Sequence, residues 1–177
     1  MFYLKNFNTE KFLILIYIFR VIPINWIYSL KNEISEDYAR YAQSKLFNLV
    51  HNSTKKLGYI IIKENAGDKY LYLTTKGYNK CTQVLEPSYK YQYWRSNINR
   101  IANVHRNHNY LMFRFVLNLL EVFPPSMLER VFLHHDNQSK LRYSNSFADP
   151  DILLKIKGEE SNNWIAVEAD TGSESHG

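Results

Sequence analysis

The sequence of 177 residues predicts an α+β fold in two parts. Three observations carry this prediction. Apolar residues recur at helical spacing before residue 50, two strand-like segments follow Gly58, and a long helical pattern near residue 110 precedes three more strand-like segments. With 45% hydrophobic and 22% charged residues, the chain can bury a core and does not have the composition of a disordered protein.

Three helices are predicted before residue 51. The first ends near Pro23, the second is short, and the third runs from Glu36 to about Val50. The residues predicted to cap them are, in order, Asn8 or Thr9, Asn25, and Ser35. On the third helix the apolar residues fall on one face, so the opposite face is free to contact a partner.

A β-hairpin is predicted after the third helix. Residues 59–63 and 69–73 have strand composition, and residues 64–68 form a turn that contains Gly67. Thr74 or Thr75 then caps another turn of helix. Three short helices closed by a hairpin are the order of elements in a winged helix, whose third helix enters a DNA major groove while the hairpin lies along the backbone.

The predicted first domain covers residues 1–81, and residues 82–97 form a linker. The aromatic residues of the linker can stack on unpaired bases of single-stranded DNA or pack between domains. They are Tyr89, Tyr91, Tyr93 and Trp94. Residues 98–177 begin with a helix from about Asn99 to Val122 and continue into strands at 128–134, 151–156 and 164–167. A helix followed by strands indicates an α/β second domain.

Charge is divided unevenly along the chain. Residues 1–110 hold 16 basic and 7 acidic side chains, a net charge of +9, whereas residues 111–177 hold 6 and 10, a net charge of −4. A basic half favours a polyanionic partner, and an acidic half is typical of carboxylate chemistry or of a solvated surface. Cys81 is the only cysteine, which excludes an intrachain disulfide and a cysteine-based zinc site.

The most apolar segment predicts a buried helix. The run from Phe12 to Phe19 has eight residues, whereas a membrane span needs about 20. A basic start, an apolar stretch and a small-residue cleavage site do not follow one another as they do in a signal peptide. We therefore expect a cytoplasmic protein with no membrane partner.

The side chains predicted to contact duplex DNA lie on the third helix and the hairpin. They are Arg40, Tyr41, Ser44 and Lys45 on the helix, Lys55 and Lys56 before the hairpin, and Lys63 and Lys69 on the hairpin. The cations would supply affinity that weakens with salt, and Arg40 or Ser44 could read a base edge. The alternative is a basic helix face that is only solvated.

Acidic residues lie at the ends of the last two predicted strands. Asp151 begins one strand, and Glu168 and Asp170 follow the next. Neighbouring strands can bring Asp151 and Glu168 within reach of one hard cation, so Mg²⁺ or Mn²⁺ is the predicted cofactor, activating water beside a phosphodiester. The alternative is that these acids are turn formers or solvated strand ends.

Histidines are the remaining candidates for chemistry. His105 and His108 share a helical face and could bind a metal, but the sequence offers no third ligand nearby, which favours a packing or hydrogen-bonding role. His134 and His135 end a strand and point to opposite faces, so one of them could face the acidic site. His108 and His135 are the two that we retain as candidates.

Four segments in this order resemble a known family. They are Tyr70-Leu71-Tyr72-Leu73-Thr74-Thr75-Lys76-Gly77, a helix opened by His108, Ala148-Asp149-Pro150-Asp151-Ile152-Leu153-Leu154, and residues 165–175 around Glu168-Ala169-Asp170-Thr171-Gly172. The pattern resembles the replication-relaxation proteins of plasmids and conjugative elements, which are similar to some mobilisation relaxases. The resemblance covers about residues 8–175.

The resemblance implies a winged helix joined to a restriction-endonuclease-like domain. In that domain Asp151 would be the first metal ligand and Glu168 the second, while Asp170 stands where the signature has a lysine. An acid cannot replace the lysine in stabilising negative charge. Since the sequence ends at Gly177, before a helix that could supply another lysine, we expect this domain to be truncated and incomplete.

The implied function is DNA processing on a plasmid or mobile element, through origin nicking or relaxation, mobilisation or replication. The implied partners are duplex DNA, single-stranded DNA, relaxosome proteins and a second copy of the chain. The enzyme class would be a metal-dependent DNA endonuclease or relaxase. The alternative is a non-enzymatic regulator of transcription or replication whose second half is a dimerisation or docking domain.

Overall fold

The computed structural model describes residues 4–30, 36–85, 106–133, 141–143, 146–148, 150–158 and 164–168. Over these residues the chain has a mixed α+β structure with antiparallel sheets. The helices are α1 (Thr9–Phe19), α2 (Ile24–Ser29), α3 (Glu36–His51), α4 (Thr75–Cys81) and α5 (Arg106–Val122). The strands are β1 (Val21–Pro23), β2 (Ile60–Asn65), β3 (Asp68–Leu73), β4 (Leu128–Leu133), β5 (Leu141–Tyr143), β6 (Ser146–Ala148), β7 (Ile152–Ile156) and β8 (Trp164–Val167). A π-helical turn (Asn52–Lys56) continues α3, and a 3₁₀ turn (Pro125–Met127) follows α5.

Helix α1 is the centre of the core. Asn8 is its N-cap, because the Asn8 side chain accepts a hydrogen bond of 3.0 Å from the Lys11 amide. Every residue from Lys11 to Phe19 is buried, so the helix is apolar on all sides instead of amphipathic. The Lys11 ammonium donates a hydrogen bond of 3.1 Å to the Glu121 carbonyl at the end of α5. This bond offsets the free-energy cost of burying the charge.

The first sheet contains a strand that the sequence analysis did not predict. Its three strands pair antiparallel in the order β1–β3–β2, with Val21 opposite Tyr72. Arg20, at φ +63°, turns the chain from α1 directly into β1. A three-residue strand that ends in Pro23 has no periodicity to reveal it, and proline is tolerated there because β1 lies at the edge of the sheet.

One predicted helix cap needs correction, and another is decided between the two residues that were predicted. Helix α2 begins at Ile24 with Pro23 at the N-cap position, so Asn25 lies inside the helix and does not cap it. Pro23 has extended backbone angles, φ −61° and ψ 132°, and makes no side-chain hydrogen bond to the helix. Thr74, and not Thr75, caps α4 by accepting a 3.1 Å hydrogen bond from the Gly77 amide. Ser35 lies outside the described residues.

The predicted hairpin is confirmed, but its turn is tighter than expected. Strands β2 and β3 pair from Ile60 opposite Leu73 to Asn65 opposite Asp68, which leaves only Ala66 and Gly67 between them. Both residues have positive φ, +51° and +83°. This is the backbone of a type I′ turn, whose twist matches that of the paired strands.

The second sheet confirms the three strands predicted for the second half. β4, β7 and β8 pair antiparallel in that order, with Val131 opposite Leu154 and Leu154 opposite Ile165. Strands β5 and β6 form a separate pair that was not predicted. Residues 99–105 of the predicted long helix and 86–97 of the predicted linker lie outside the described residues.

The two parts of the chain share one hydrophobic cluster. It contains buried side chains of α1 and α3 together with others from α5, β4 and β7. The Trp26 ring of α2 lies 5.3 Å from the Phe113 ring of α5, and the Phe19 ring lies 6.1 Å from the same phenyl group. Such aromatic contacts add to the free energy of area burial, which holds α5 against α1 and α2. None of the described helices is long and apolar enough to cross a membrane.

We expect the single thiol to be unreactive in the folded protein. Cys81 is 1% exposed, and burial raises the pKa of its thiol far above the usual range, with the Glu10 carboxylate adding to the rise. Since the thiolate is the reactive form, a chromogenic aromatic disulfide should react at least about 100-fold more slowly with native than with urea-unfolded protein. Equal rates in the two states would show that α4 does not stay packed.

Candidate functional site

Helix α3 has one buried face and one exposed face. Ala42, Leu46 and Leu49 are buried against the core, at 1%, 0% and 9% exposure. Five side chains elsewhere on the helix are exposed, namely Arg40, Tyr41, Ser44, Asn48 and His51. Three of these were predicted to contact DNA, and the fold places all three on the solvent side of the helix.

Lys45, the fourth residue predicted on α3, has an internal role. Its ammonium donates to the backbone carbonyls of Leu4 and Lys5, the second at 2.9 Å, and it lies 5.9 Å from the centre of the Tyr41 ring. A lysine has three donors, and two of them are used here. Lys45 therefore ties the segment before α1 to α3 and is less suited to bind phosphate than a fully exposed lysine.

The π-helical turn after α3 presents Lys55 and Lys56 to solvent. Its wider winding is defined by the Leu57 amide, which donates to the Asn52 carbonyl at 3.0 Å. The Thr54 hydroxyl bonds back to the Val50 carbonyl at 2.9 Å. Turns of this kind occur often at functional sites, and this one lengthens the exposed surface of α3 by a basic pair.

The hairpin carries its two predicted lysines on different faces. Lys63 pairs with Tyr70, while Lys69 pairs with Glu64, the residue after Lys63. Because side chains alternate along a strand, Lys63 and Lys69 point to opposite sides of the sheet. Both are exposed, and the Lys63 ammonium lies 5.9 Å from the centre of the Tyr72 ring. A duplex beside one face of the hairpin would contact one of these lysines directly.

A histidine and an aspartate from distant parts of the chain meet at the second sheet. His108 Nε2, near the start of α5, lies 2.7 Å from Oδ1 of Asp151, the residue that precedes β7. Their side chains are 22% and 14% exposed. An ionised carboxylate only accepts hydrogen bonds, so a bond to the ionised form of Asp151 requires the imidazole tautomer or imidazolium in which Nε2 carries a proton. The contact joins the helix to the sheet.

Glu168 lies on the strand next to Asp151. The last pair of the β7–β8 ladder is Ile152 with Val167, and Asp151 and Glu168 are the next positions outward on the two strands. The Glu168 side chain is exposed. The register therefore brings the two predicted ligands to the same end of neighbouring strands. Asp170 and His135 lie outside the described residues, as do Asp149, His105 and His134.

The described residues only partly fit a metal centre. Carboxylates on adjacent strands suit a hard cation such as Mg²⁺. Among the residues that the structure describes, however, no three His, Cys, Asp or Glu side chains form a group that could hold an ion. A complete set of ligands would need a residue outside the described ranges, and Asp170 is the predicted one.

The sequence analysis missed two features of this site. The bond between His108 and Asp151 spans 43 residues, so no local pattern could reveal it. Asn48 and His51 are exposed on α3 beside the predicted contacts. They follow Ser44 by four and seven residues, which places them on the same face of a helix. This spacing was visible in the sequence.

Comparison with models of protein families, with curated proteins and with solved structures finds no match to this chain.

We expect the His108–Asp151 bond to contribute measurable stability. In a double-mutant cycle, His108→Ala and Asp151→Ala should show a coupling of about 1 kcal/mol, the size of a partly buried hydrogen bond to a charged group. Urea unfolding of the wild type, both single variants and the double variant measures it. Strictly additive losses would mean that the contact is energetically neutral.

Proposed function

We propose that this chain is a duplex-DNA-binding protein of the winged-helix type that takes part in plasmid or mobile-element DNA processing, through origin nicking or relaxation, mobilisation or replication. In this proposal α3 enters the major groove and the β2–β3 hairpin lies beside the phosphate backbone. The observation that carries the proposal is the exposed surface of α3 and the π-helical turn from Arg40 to Lys56, a stretch with no acidic residue.

The order of elements supports the winged-helix part of the proposal. The first part of the chain runs α1, β1, α2, α3, β2 and β3, and its strands pair in the order β1–β3–β2. The hairpin thus follows α3 directly, as a wing follows a recognition helix. The buried face of α3 holds the helix on the core, so the opposite face remains available to a groove.

Charge supports duplex DNA as the partner. The 17 residues from Arg40 to Lys56 contain no Asp or Glu. A helix face that serves only solvation usually mixes both signs of charge, whereas a surface with cations alone attracts phosphate. Five of the six predicted cations are exposed, and they are Arg40, Lys55, Lys56, Lys63 and Lys69.

The catalytic part of the proposal concerns the second sheet. Asp151, Glu168 and Asp170 would hold Mg²⁺ or Mn²⁺, which when bound supplies an activated water and offsets charge on a phosphodiester. His108 positions the Asp151 carboxylate through the 2.7 Å hydrogen bond, and the β7–β8 register places Glu168 on the neighbouring strand. Of the three acids, Asp151 and Glu168 lie among the described residues. The catalytic part is therefore given an experiment of its own, separate from the one for DNA binding.

Fluorescence anisotropy with labelled duplex DNA and the full chain tests the binding part. Four phosphate contacts, three from α3 and the π-helical turn and one from a hairpin lysine, predict that the logarithm of the association constant falls with the logarithm of salt concentration with a slope of about −3.6. A slope near zero, or no binding at low salt, would overturn the proposed DNA-binding function.

A supercoiled plasmid tests the catalytic part. The wild type with Mg²⁺ or Mn²⁺ should convert supercoiled plasmid to the open circular form, and Asp151→Asn, which removes the charge but keeps the shape, should not. Unchanged topology with both proteins would refute the endonuclease part and leave DNA binding unaffected.

A non-enzymatic regulator is the second candidate function. The specific observation in its favour is the His108–Asp151 bond, because it gives Asp151 a structural task that needs no ion. In this case DNA binding would be independent of divalent cations, and the second half would serve dimerisation or docking. Sedimentation of the full chain with and without duplex DNA distinguishes a dimer from a monomer.

A further inference from the structure

The exposed face of α3 is a continuous stripe of polar side chains. Arg40, Ser44, Asn48 and His51 recur at spacings of four, four and three residues, and all four are exposed. At 3.6 residues per turn they fall within an arc of about 80°. We call these four residues the α3 stripe. The buried residues Ala42, Leu46, Leu49 and Val50 occupy the opposite side of the helix.

The α3 stripe is neutral in the middle and positive towards its ends. Arg40 lies at one end, and Lys55 and Lys56 follow His51 on the π-helical turn at the other. The distance along the axis from residue 40 to residue 55 is about 22 Å at 1.5 Å per residue. The major groove is about 12 Å wide between walls of phosphate. Glu36 and Asp37 begin α3, so only the part of the helix from Arg40 onwards has this charge pattern. That part can set its neutral centre against bases while Arg40 and the lysine pair reach phosphates.

The chemistry of the neutral centre suits base recognition. Ser44 and Asn48 are one turn apart on α3. An asparagine amide carries one acceptor and two donors, which match the N6 and N7 positions of adenine in the major groove. Serine bonds to several bases and so adds little discrimination. Asn48 is thus the residue in the neutral centre of this face with the most specific hydrogen-bonding pattern.

We propose that Asn48 is a specificity-determining residue that reads an adenine in the major groove, with His51 contacting the adjoining groove wall. The inference rests on the proposed DNA-binding function and adds a defined base contact to it. The cations of α3 and the π-helical turn give affinity for any duplex, whereas Asn48 gives preference for one sequence. Tyr41 and Lys45 lie beside the α3 stripe and are not part of the base contact.

Selection from a pool of duplexes with a randomised core tests the inference. The full-length wild type, Asn48→Ala and Asn79→Ala are each incubated with the pool at one salt concentration, and bound DNA is sequenced. Asn79 is the matched control because it is an exposed asparagine on α4. The wild type should prefer A·T at a defined position, and Asn48→Ala should reduce that preference about 10- to 100-fold while other positions keep theirs. Asn79→Ala should retain the wild-type pattern.

Each other outcome decides between the two proposals. A wild type that binds no duplex overturns the proposed function and this inference together. A wild type that binds every sequence equally leaves DNA binding intact and overturns the role of Asn48. A uniform loss of affinity in Asn48→Ala, or an unchanged pattern, also overturns it. Equal melting temperatures of the three proteins confirm that the comparison concerns recognition and not folding.

Discussion

Replacing Arg40, Lys55 and Lys56 together by glutamine should weaken binding to duplex DNA about 500-fold at about 0.1 M salt. The three side chains are exposed on α3 and the π-helical turn, where each can displace a counterion from phosphate. Loss of three phosphate contacts makes the slope of the logarithm of the association constant against the logarithm of salt concentration less steep by about 2.7. If the two proteins bind equally at about 1 M salt, this difference in slope amounts to a factor of about 500 at about 0.1 M salt. Anisotropy titrations at several salt concentrations measure both the affinity and the slope.

The control for this triple variant removes cations from another corner of the protein. Lys80 bonds the Gln83 side chain and Lys157 lies 3.4 Å from the Val84 carbonyl, so both lie where α4 ends. Lys80→Gln with Lys157→Gln should change affinity only slightly and leave the slope near its wild-type value. If the triple variant and this control lost the same binding free energy for each charge removed, the attraction to DNA would come from the net charge of the protein and not from the α3 surface.

Gly77→Ala should destabilise the protein by about 2 to 3 kcal/mol, although the same change stabilises an ordinary helix by about 1 kcal/mol. A Cβ at residue 77 would lie 2.2 Å from the Tyr59 carbonyl oxygen and 3.1 Å from a methyl carbon of Leu73. The oxygen cannot move away easily, because it also accepts a 2.9 Å hydrogen bond from the Thr74 amide. Relief of the clash would separate α4 from the start of the hairpin.

Denaturant unfolding decides the sign of this effect. Asn79→Ala is the control, since residue 79 lies in the same helix but is exposed, and its change should stay within about 0.5 kcal/mol. An increase in stability for Gly77→Ala would show that helix propensity outweighs the contact with Tyr59. This close contact gives a physical reason for two residues of the Thr74-Thr75-Lys76-Gly77 segment. Thr74 caps α4, and Gly77 has no side chain that would keep α4 away from the Tyr59 carbonyl.

The hairpin shows how far local chemistry determines structure. Its strands have β-branched and aromatic residues, and Gly67 accommodates a positive φ. These features predicted the hairpin, yet the turn was predicted too long because Glu64 and Asn65 have turn composition. Pairing with Lys69 and Asp68 keeps both residues in the strand. Cross-strand hydrogen bonds outweighed the weak preference of single residues.

Lys45 and Asn48 show the same limit at the candidate DNA surface. Both are polar residues of one helix, and the sequence alone favoured the lysine as a DNA contact because of its charge. The fold instead brings the carbonyls of Leu4 and Lys5 to the Lys45 ammonium, and it leaves Asn48 exposed. Which polar side chain is available depends on what the rest of the chain places beside it.

The sequence by itself determined the helices α1, α3 and α5, the hairpin and the strands of the second sheet, because each follows from periodicity or composition within about 20 residues. It also determined the uneven charge, which is a matter of counting side chains along the chain. Only the tertiary structure decided the pairing of β1 with β3, the shared core and the bond between His108 and Asp151. These contacts join segments far apart in the chain. Their formation depends on closing long loops and burying common apolar area, and neither is encoded in any local pattern.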